Sequence, residues 1–122
     1  NIFDYAMAGA ECTIINDVQR LTMEILEAGK PLGAICIAPV MVAKILQKMG
    51  RNGKVTGGCN EDISNDIQTM GIETESVGPG DIVIDEKNKI VTTPTYVEAQ
   101  SIKEAAEGIE KLVDKVLEMI EA

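Results

Sequence analysis

The chain has 122 residues, a net charge of −9 and a pI near 4.4, and only 2% of its residues are aromatic. This length is enough for one domain with one core. The acidic charge repels phosphate and anionic lipid, and the scarcity of aromatic rings leaves no platform for base stacking, so we expect no nucleic-acid or membrane partner.

The cysteine and histidine content narrows the chemistry further. There are three cysteines, Cys12, Cys36 and Cys59, with no close C-x-x-C pair, and there is no histidine. An odd number of cysteines favours a reducing compartment over a disulfide framework, so we expect a cytoplasmic location. Without histidine the chain lacks the commonest zinc ligand and any internal Cys–His pair, so we expect no metal.

The first part of the chain predicts a loop, a helix and a buried strand in that order. Residues 1–9 indicate a loop with no structural start, and residues 13–28 carry an apolar stripe at helical spacing. Gly29 and Pro31 then end the helix, and the apolar run 32–35 is typical of a parallel strand buried on both faces.

Cys36 follows this strand directly, and Pro39 opens a second helix over residues 40–49. A strand, a sharp turn with cysteine at its apex and a helix together form the arrangement that holds a nucleophile above a sheet edge. The helix N–H groups there favour a thiolate. The alternative is that Cys36 is only a small buried hydrophobe, and the local pattern leaves both interpretations open.

The middle of the chain predicts a short strand over residues 54–56, followed by the turn Gly57-Gly58. This turn could place backbone N–H groups near a ligand, or it could be a plain connection in which Asn60 caps the helix 61–70. The sequence favours the plain connection. Cys59 also has the pattern of an ordinary small residue at a helix entry.

The last part predicts a strand over 72–77, a hairpin from 81–85 and 89–93, and a long helix over 97–122. We expect Asn88 to take the left-handed conformation in the hairpin turn, and the whole apolar stripe of the long helix to be core. Thr92, Thr93 and Tyr96 follow as weaker candidates for lining a pocket, although Thr93-Pro94 could equally only shape the turn into the helix.

Three segments of the chain carry a family resemblance. They are Gly29-Lys30-Pro31-Leu32-Gly33 with Cys36-Ile37-Ala38-Pro39, Asp81 to Glu86 with Asn88 to Pro94, and Ala99 to Ile102 with the start of the long helix. On these segments the chain resembles the ElbB family (isoprenoid biosynthesis proteins with an amidotransferase-like domain) of the ThiJ/PfpI superfamily. The similarity extends over almost all of the 122 residues.

The resemblance implies a flavodoxin-like three-layer α/β sandwich of the class I glutamine amidotransferase type, with residues 1–122 as the C-terminal portion of one domain. The N-terminal half would be absent from this chain, which agrees with the few predicted strands and with Asn1 in place of an initiator Met. In the family that half supplies the first strands, a glutamate beside the elbow thiol and a glycine-rich segment.

The resemblance also implies a function. Similar glyoxalase III-type proteins convert glyoxal and other small 2-oxoaldehydes to hydroxy acids without a cofactor, and they are typically homodimers. Cys36 would be the nucleophile, and Ile37, Gly57, Gly58 and Thr93 would supply oxyanion contacts or line the pocket. Because Gly57 and Gly58 stand where many superfamily members carry a histidine, the alternative is a redox-responsive, stress-protective protein whose elbow cysteine is oxidised with little catalysis.

Overall fold

A computed structural model describes residues 2–97 and 99–121 of the chain, with Tyr96 described by its backbone alone. The fold is the predicted α/β sandwich: a sheet lies between one long helix and a layer of shorter helices. The helices are α1 (Tyr5–Ala8), α2 (Asn16–Glu27), α3 (Ala38–Met49), α4 (Glu61–Thr69) and α5 (Ile102–Glu121). The strands are β1 (Leu32–Ile35), β2 (Lys54–Val55), β3 (Glu73–Thr74), β4 (Val83–Asp85) and β5 (Ile90–Thr93), and short 3-10 helices span Gly9–Glu11 and Thr95–Val97.

The central sheet has the strand order β1-β5-β4. β1 and β5 are parallel, with Leu32 opposite Ile90 and Ile35 opposite Thr93, whereas β4 and β5 form the predicted antiparallel hairpin. β2 and β3 form a separate parallel pair. Because β1 and β5 run in the same direction, the residues that follow them emerge together at one edge of the sheet.

The hairpin turn differs from the prediction in one residue. Lys89, not Asn88, has the left-handed backbone, with φ of 58°. Asn88 is instead buried, and its side-chain amide donates to the Asn52 carbonyl and to the Asp85 carboxylate, each at 2.9 Å. Asp85 also accepts the N–H of Lys54 at 2.9 Å, so this cluster fastens the hairpin to the start of β2.

The predicted loop over residues 1–9 is wrong for residues 5–9, which lie in α1 and at the start of the first 3-10 helix. Phe3 pairs with Ile14 in an isolated bridge, and the Asp4 carboxylate accepts the N–H of Thr13. These contacts hold the segment against the body of the protein. They also explain why α2 begins at Asn16 and not at residue 13, since Ile14 is extended in the bridge. Asn1 lies outside the described residues.

Helix α5 is shorter and less covered than its apolar stripe predicts. It begins at Ile102, where the Ser101 hydroxyl accepts the N–H of Glu104, while residues 95–97 form a 3-10 helix. The stripe is buried at its middle, where Leu112 packs so closely on β1 that a Cβ added at Gly33 would lie 2.7 Å from it. However, Ile102 at its start is 81% exposed, and Val113, Leu117 and Ile120 are 46%, 54% and 62% exposed. The prediction of one continuous core stripe is therefore wrong at these four positions.

The turn between β1 and α3 has an unusual backbone. Cys36 has φ of +64°, in the left-handed region that residues with a side chain rarely adopt. Ile37 already has a helical backbone as the N-cap of α3, and Pro39 lies in the first helical turn. The chain therefore passes from strand to helix through a single left-handed residue, as the sequence predicts for a nucleophile elbow.

This conformation makes a stability prediction. At Cys36, replacement by glycine should give a protein that is more stable than the alanine variant by about 1 kcal/mol, because only glycine adopts positive φ without steric cost. Cys12 is the matched control: it has φ of −60°, so there Cys12→Gly should be less stable than Cys12→Ala. Urea unfolding of the four variants measures both differences. The same order of stability at both positions would show that the elbow stores no backbone strain.

Candidate functional site

The elbow is held in place by the sheet itself. The N–H of Cys36 donates to the carbonyl of Thr93 at 3.1 Å, which extends the β1–β5 ladder one residue beyond its last pair. This bond fixes the position of Cys36 relative to the end of β5. It also means that the N–H of Cys36 is not free to bind a ligand.

The backbone amide of the next residue, Ile37, is not used in this way. Within residues 2–97 and 99–121, the N–H of Ile37 has no hydrogen-bond acceptor, and no side chain caps α3. The first N–H groups of a helix carry partial positive charge and bind anions when nothing else satisfies them. An oxygen that becomes negative while bonded to the Cys36 sulfur would be stabilised by this N–H group.

The three cysteines have different environments. Cys12 is fully buried, and burial raises the pKa of its thiol, although the Lys44 ammonium opposes the shift. Cys36 is half-buried and Cys59 is exposed, and the Cys59 sulfur lies 3.7 Å from the Val77 carbonyl oxygen. Cys59 directly precedes the N-cap of α4, as Cys36 precedes that of α3, but the Asn60 side chain caps α4, whereas no side chain caps α3.

The two predicted glycines are joined to the site through β5. The N–H of Thr56 donates to the Thr92 hydroxyl at 3.1 Å, and the Thr56 hydroxyl in turn accepts the N–H of Gly58 at 2.9 Å. The latter N–H is therefore occupied within the protein. Gly57 packs against α4, where an added Cβ would lie 2.4 Å from Ile63. This close packing requires glycine at position 57, whether or not the turn contacts a ligand.

Thr93 contributes its backbone to the elbow, while its side chain faces the other way. Its hydroxyl donates to the carbonyl of Asp81 at 2.6 Å, on the side of the sheet covered by α5. A Cβ added at Gly108 of α5 would lie 2.7 Å from this hydroxyl. Tyr96 is also predicted to line the pocket, and its side chain lies outside the described part of the structure.

Sequence reasoning missed one polar residue at this edge of the sheet. Thr95 is fully buried, and its hydroxyl has no hydrogen-bond partner among the described residues. The sequence shows only a threonine after proline, so no local pattern marks it. Of the described residues, no group of His, Cys, Asp and Glu side chains is arranged to hold a metal ion.

A cavity of about 740 Å³ opens at the other end of β5, beside the Asp85–Asn88 cluster. Lys54 and Lys87 contribute to its walls, and the buried carboxylate of Asp85 already accepts three N–H groups from the protein. The buried polar side chains of its wall, Asp85 and Asn88, are thus already paired within the protein. We therefore place the candidate site at the elbow, because reactivity and unpaired donors matter more than volume.

Comparisons with known proteins agree with this fold. No protein-family model matches the chain. It is 32% identical to the human mitochondrial glutamine amidotransferase-like class 1 domain-containing protein 3, over 98% of this chain and 46% of that protein. It is 30% identical to the mitochondrial ES1 protein homolog of Rattus norvegicus, over 98% of this chain and 47% of that protein. The chain thus spans about half the length of these curated relatives.

A solved structure of a similar protein supports the same fold. The isoprenoid biosynthesis protein with an amidotransferase-like domain from Ehrlichia chaffeensis matches with a TM-score of 0.80 and 27% identity, over 88% of this chain and 49% of that one.

The relatives also correct the predicted cytoplasmic location, which is wrong, because three of them, including the ES1 protein of Danio rerio, are mitochondrial proteins. Three cysteines without a disulfide do not distinguish one reducing compartment from another. Among the described residues, no helix has the length and hydropathy to cross a membrane. The chain is thus similar to proteins with a glutamine amidotransferase-like class 1 domain, a similarity that fits the ThiJ/PfpI superfamily, while the narrower ElbB assignment stays a prediction.

Proposed function

We propose that the protein is an ElbB-type enzyme that converts small 2-oxoaldehydes such as glyoxal to hydroxy acids, with Cys36 as nucleophile. The observation that carries this proposal is the left-handed turn that presents Cys36 at the N-terminus of α3, beside the unpaired N–H of Ile37. A thiolate and an oxyanion donor at adjacent residues are what nucleophilic attack on a carbonyl needs.

The reaction balances with water alone. The Cys36 thiolate forms a C–S bond to one aldehyde carbon, and the carbonyl electron pair moves to the oxygen beside Ile37, giving a hemithioacetal after protonation. A base then moves hydrogen from this carbon to its neighbour through an enediol, so that the first carbon is oxidised to a thioester while the second is reduced to an alcohol. Water cleaves the C–S bond, releasing the hydroxy acid and restoring the thiol.

The step between the two carbons needs a base that this chain does not supply as histidine. On our proposal a carboxylate from the remaining half of the domain takes this role, as the family resemblance implies. The chain's own edge fits such a complement: among the described strands none pairs with the outer side of β1. Leu117 and Ile120 of α5 are also exposed, and on this proposal the same added layer covers them. A homodimer belongs to this proposal as well.

A second candidate function is oxidative sensing at the same thiol. A half-buried, accessible cysteine at a helix N-terminus, without a histidine to act as base, is suited to react with peroxide. Its thiolate would attack one peroxide oxygen and displace the other as hydroxide, leaving a sulfenic acid. The exposed Cys59 gives an internal comparison, since exposure alone would make it react faster than Cys36.

For the enzyme hypothesis, we expect Cys36→Ser to lower glyoxal consumption by the full-length protein by on the order of 100-fold or more, because a serine hydroxyl without a strong base is a far weaker nucleophile. Cys59→Ser is the matched control and should keep its turnover. Glycolate formation followed by NMR measures both. Unchanged turnover in Cys36→Ser would remove this residue from the mechanism.

For the sensing hypothesis, mild peroxide treatment followed by peptide mass spectrometry should find sulfenic or sulfinic acid first at Cys36, even though Cys59 is more exposed. Cys12 should remain unmodified, since burial raises the pKa of its thiol. If Cys59 is oxidised as fast as Cys36, the elbow has no special reactivity and the sensing function is excluded.

To test whether the remaining half of the domain covers α5, we place a cysteine at position 117. We expect Leu117→Cys to react slowly with maleimide in the full-length protein. The same substitution at Met7, which is 93% exposed, should react at the rate of a free thiol. Leu117 is 54% exposed in the described structure, so slow labelling requires a covering partner. Equal rates at both positions would contradict the proposed complement.

A further inference from the structure

Thr95 is a core residue with two features that core residues ordinarily avoid, an unpaired hydroxyl and a positive φ. It has no exposed surface, and its hydroxyl finds no hydrogen-bond partner among the described residues. Buried polar side-chain atoms are almost always paired, so an unpaired one requires an explanation. Its backbone has φ of +39°, which is costly for a β-branched residue.

The position of Thr95 connects these features to the elbow. Three described residues other than glycine have positive φ, and one of them, Lys89, lies in the hairpin turn. The other two, Cys36 and Thr95, follow the ends of β1 and β5, just beyond the pair formed by Ile35 and Thr93. Unfavourable backbone conformations of this kind concentrate where a protein binds or reacts.

A hydrogen bond joins the two segments. The carbonyl of Thr93 accepts the N–H of Cys36 at 3.1 Å, and Thr95 lies two residues beyond that carbonyl. The end of β5 is thereby anchored at the elbow, while the hydroxyl of Thr95, two residues farther on, has no partner among the described residues. The other unpaired buried hydroxyl among the described residues, that of Thr74, belongs to β3 in the separate pair of strands.

We propose that the Thr95 hydroxyl binds the second oxygen of the substrate, the one on the carbon that Cys36 does not attack. This inference rests on the proposed function and names a further residue for it. A 2-oxoaldehyde has two oxygens: the N–H of Ile37 receives the one on the attacked carbon, and the hydroxyl of Thr95 receives the other. Because Thr95 is fully buried in the described structure, the segment after β5 has to move for its hydroxyl to reach the substrate.

The experiment measures binding at the elbow separately from turnover. Glycolate, which carries both oxygens, should slow the alkylation of Cys36 by iodoacetamide in the full-length protein. In Thr95→Val, which has the same shape without the hydroxyl, about 10-fold more glycolate should be needed for the same protection, as expected for one lost hydrogen bond. Thr95→Ser should stay within about twofold of the wild type, and so should the control Thr74→Val.

A stability measurement excludes a purely structural role. Since the hydroxyl of Thr95 has no partner in the described structure, Thr95→Val should melt at the same temperature as the wild type or higher. A lower melting temperature that Thr95→Ser restores, with glycolate protection unchanged, would show that Thr95 only supports the fold. Absence of protection in the wild type, or equal protection in wild type and Thr95→Val, would also overturn the inference. The proposed function is decided independently by the turnover of Cys36→Ser.

Discussion

The parallel pairing of β1 with β5 is the constraint from which the site follows. The ladder continues one bond past the strands, from the Cys36 N–H to the Thr93 carbonyl, so the last residue held by the sheet is the cysteine itself. The helix must start immediately afterwards, and only a left-handed residue can reverse the chain that sharply. The same bond that positions the sulfur removes one amide from use and leaves the amide of Ile37 as the donor nearest in sequence.

The polar groups at the two ends of β5 differ in how they are hydrogen-bonded. At its start, Asp85 and Asn88 pair with each other and with the backbone of residues 52–54, so these two buried side chains hold the hairpin and β2 together. At its end, a half-buried thiol and an unpaired hydroxyl lie beyond the last pair. Fully paired polar clusters rigidify a fold, whereas unpaired groups leave interactions for something else to complete. The contrast locates the candidate site better than the size of the nearby cavity does.

The features that sequence predicted well are those set by neighbours in the chain. Pro39 marked the start of α3, Gly29 the end of α2, and the apolar run 32–35 matches β1 residue for residue. The features that were missed depend on distant partners. Asp85 is buried because it accepts the N–H of a residue 31 positions earlier, and α1 forms where the chain folds back through the Phe3–Ile14 bridge. Strain and unpaired hydroxyl groups, as at Thr95, depend on the packed structure and leave no trace in composition or periodicity.

On our proposal, the uncovered part of α5 and the chemistry of the elbow are both completed by the same added layer. Leu112 of α5 packs on Gly33 of β1 and is buried, whereas Leu117 and Ile120, farther along the helix, are exposed. On the proposed arrangement, whatever pairs with β1 continues the sheet under these side chains, and its carboxyl or amino ends border the turn at Cys36. The base that this chain lacks would then arrive with the layer that completes the core. Stability and activity would depend on the same contact.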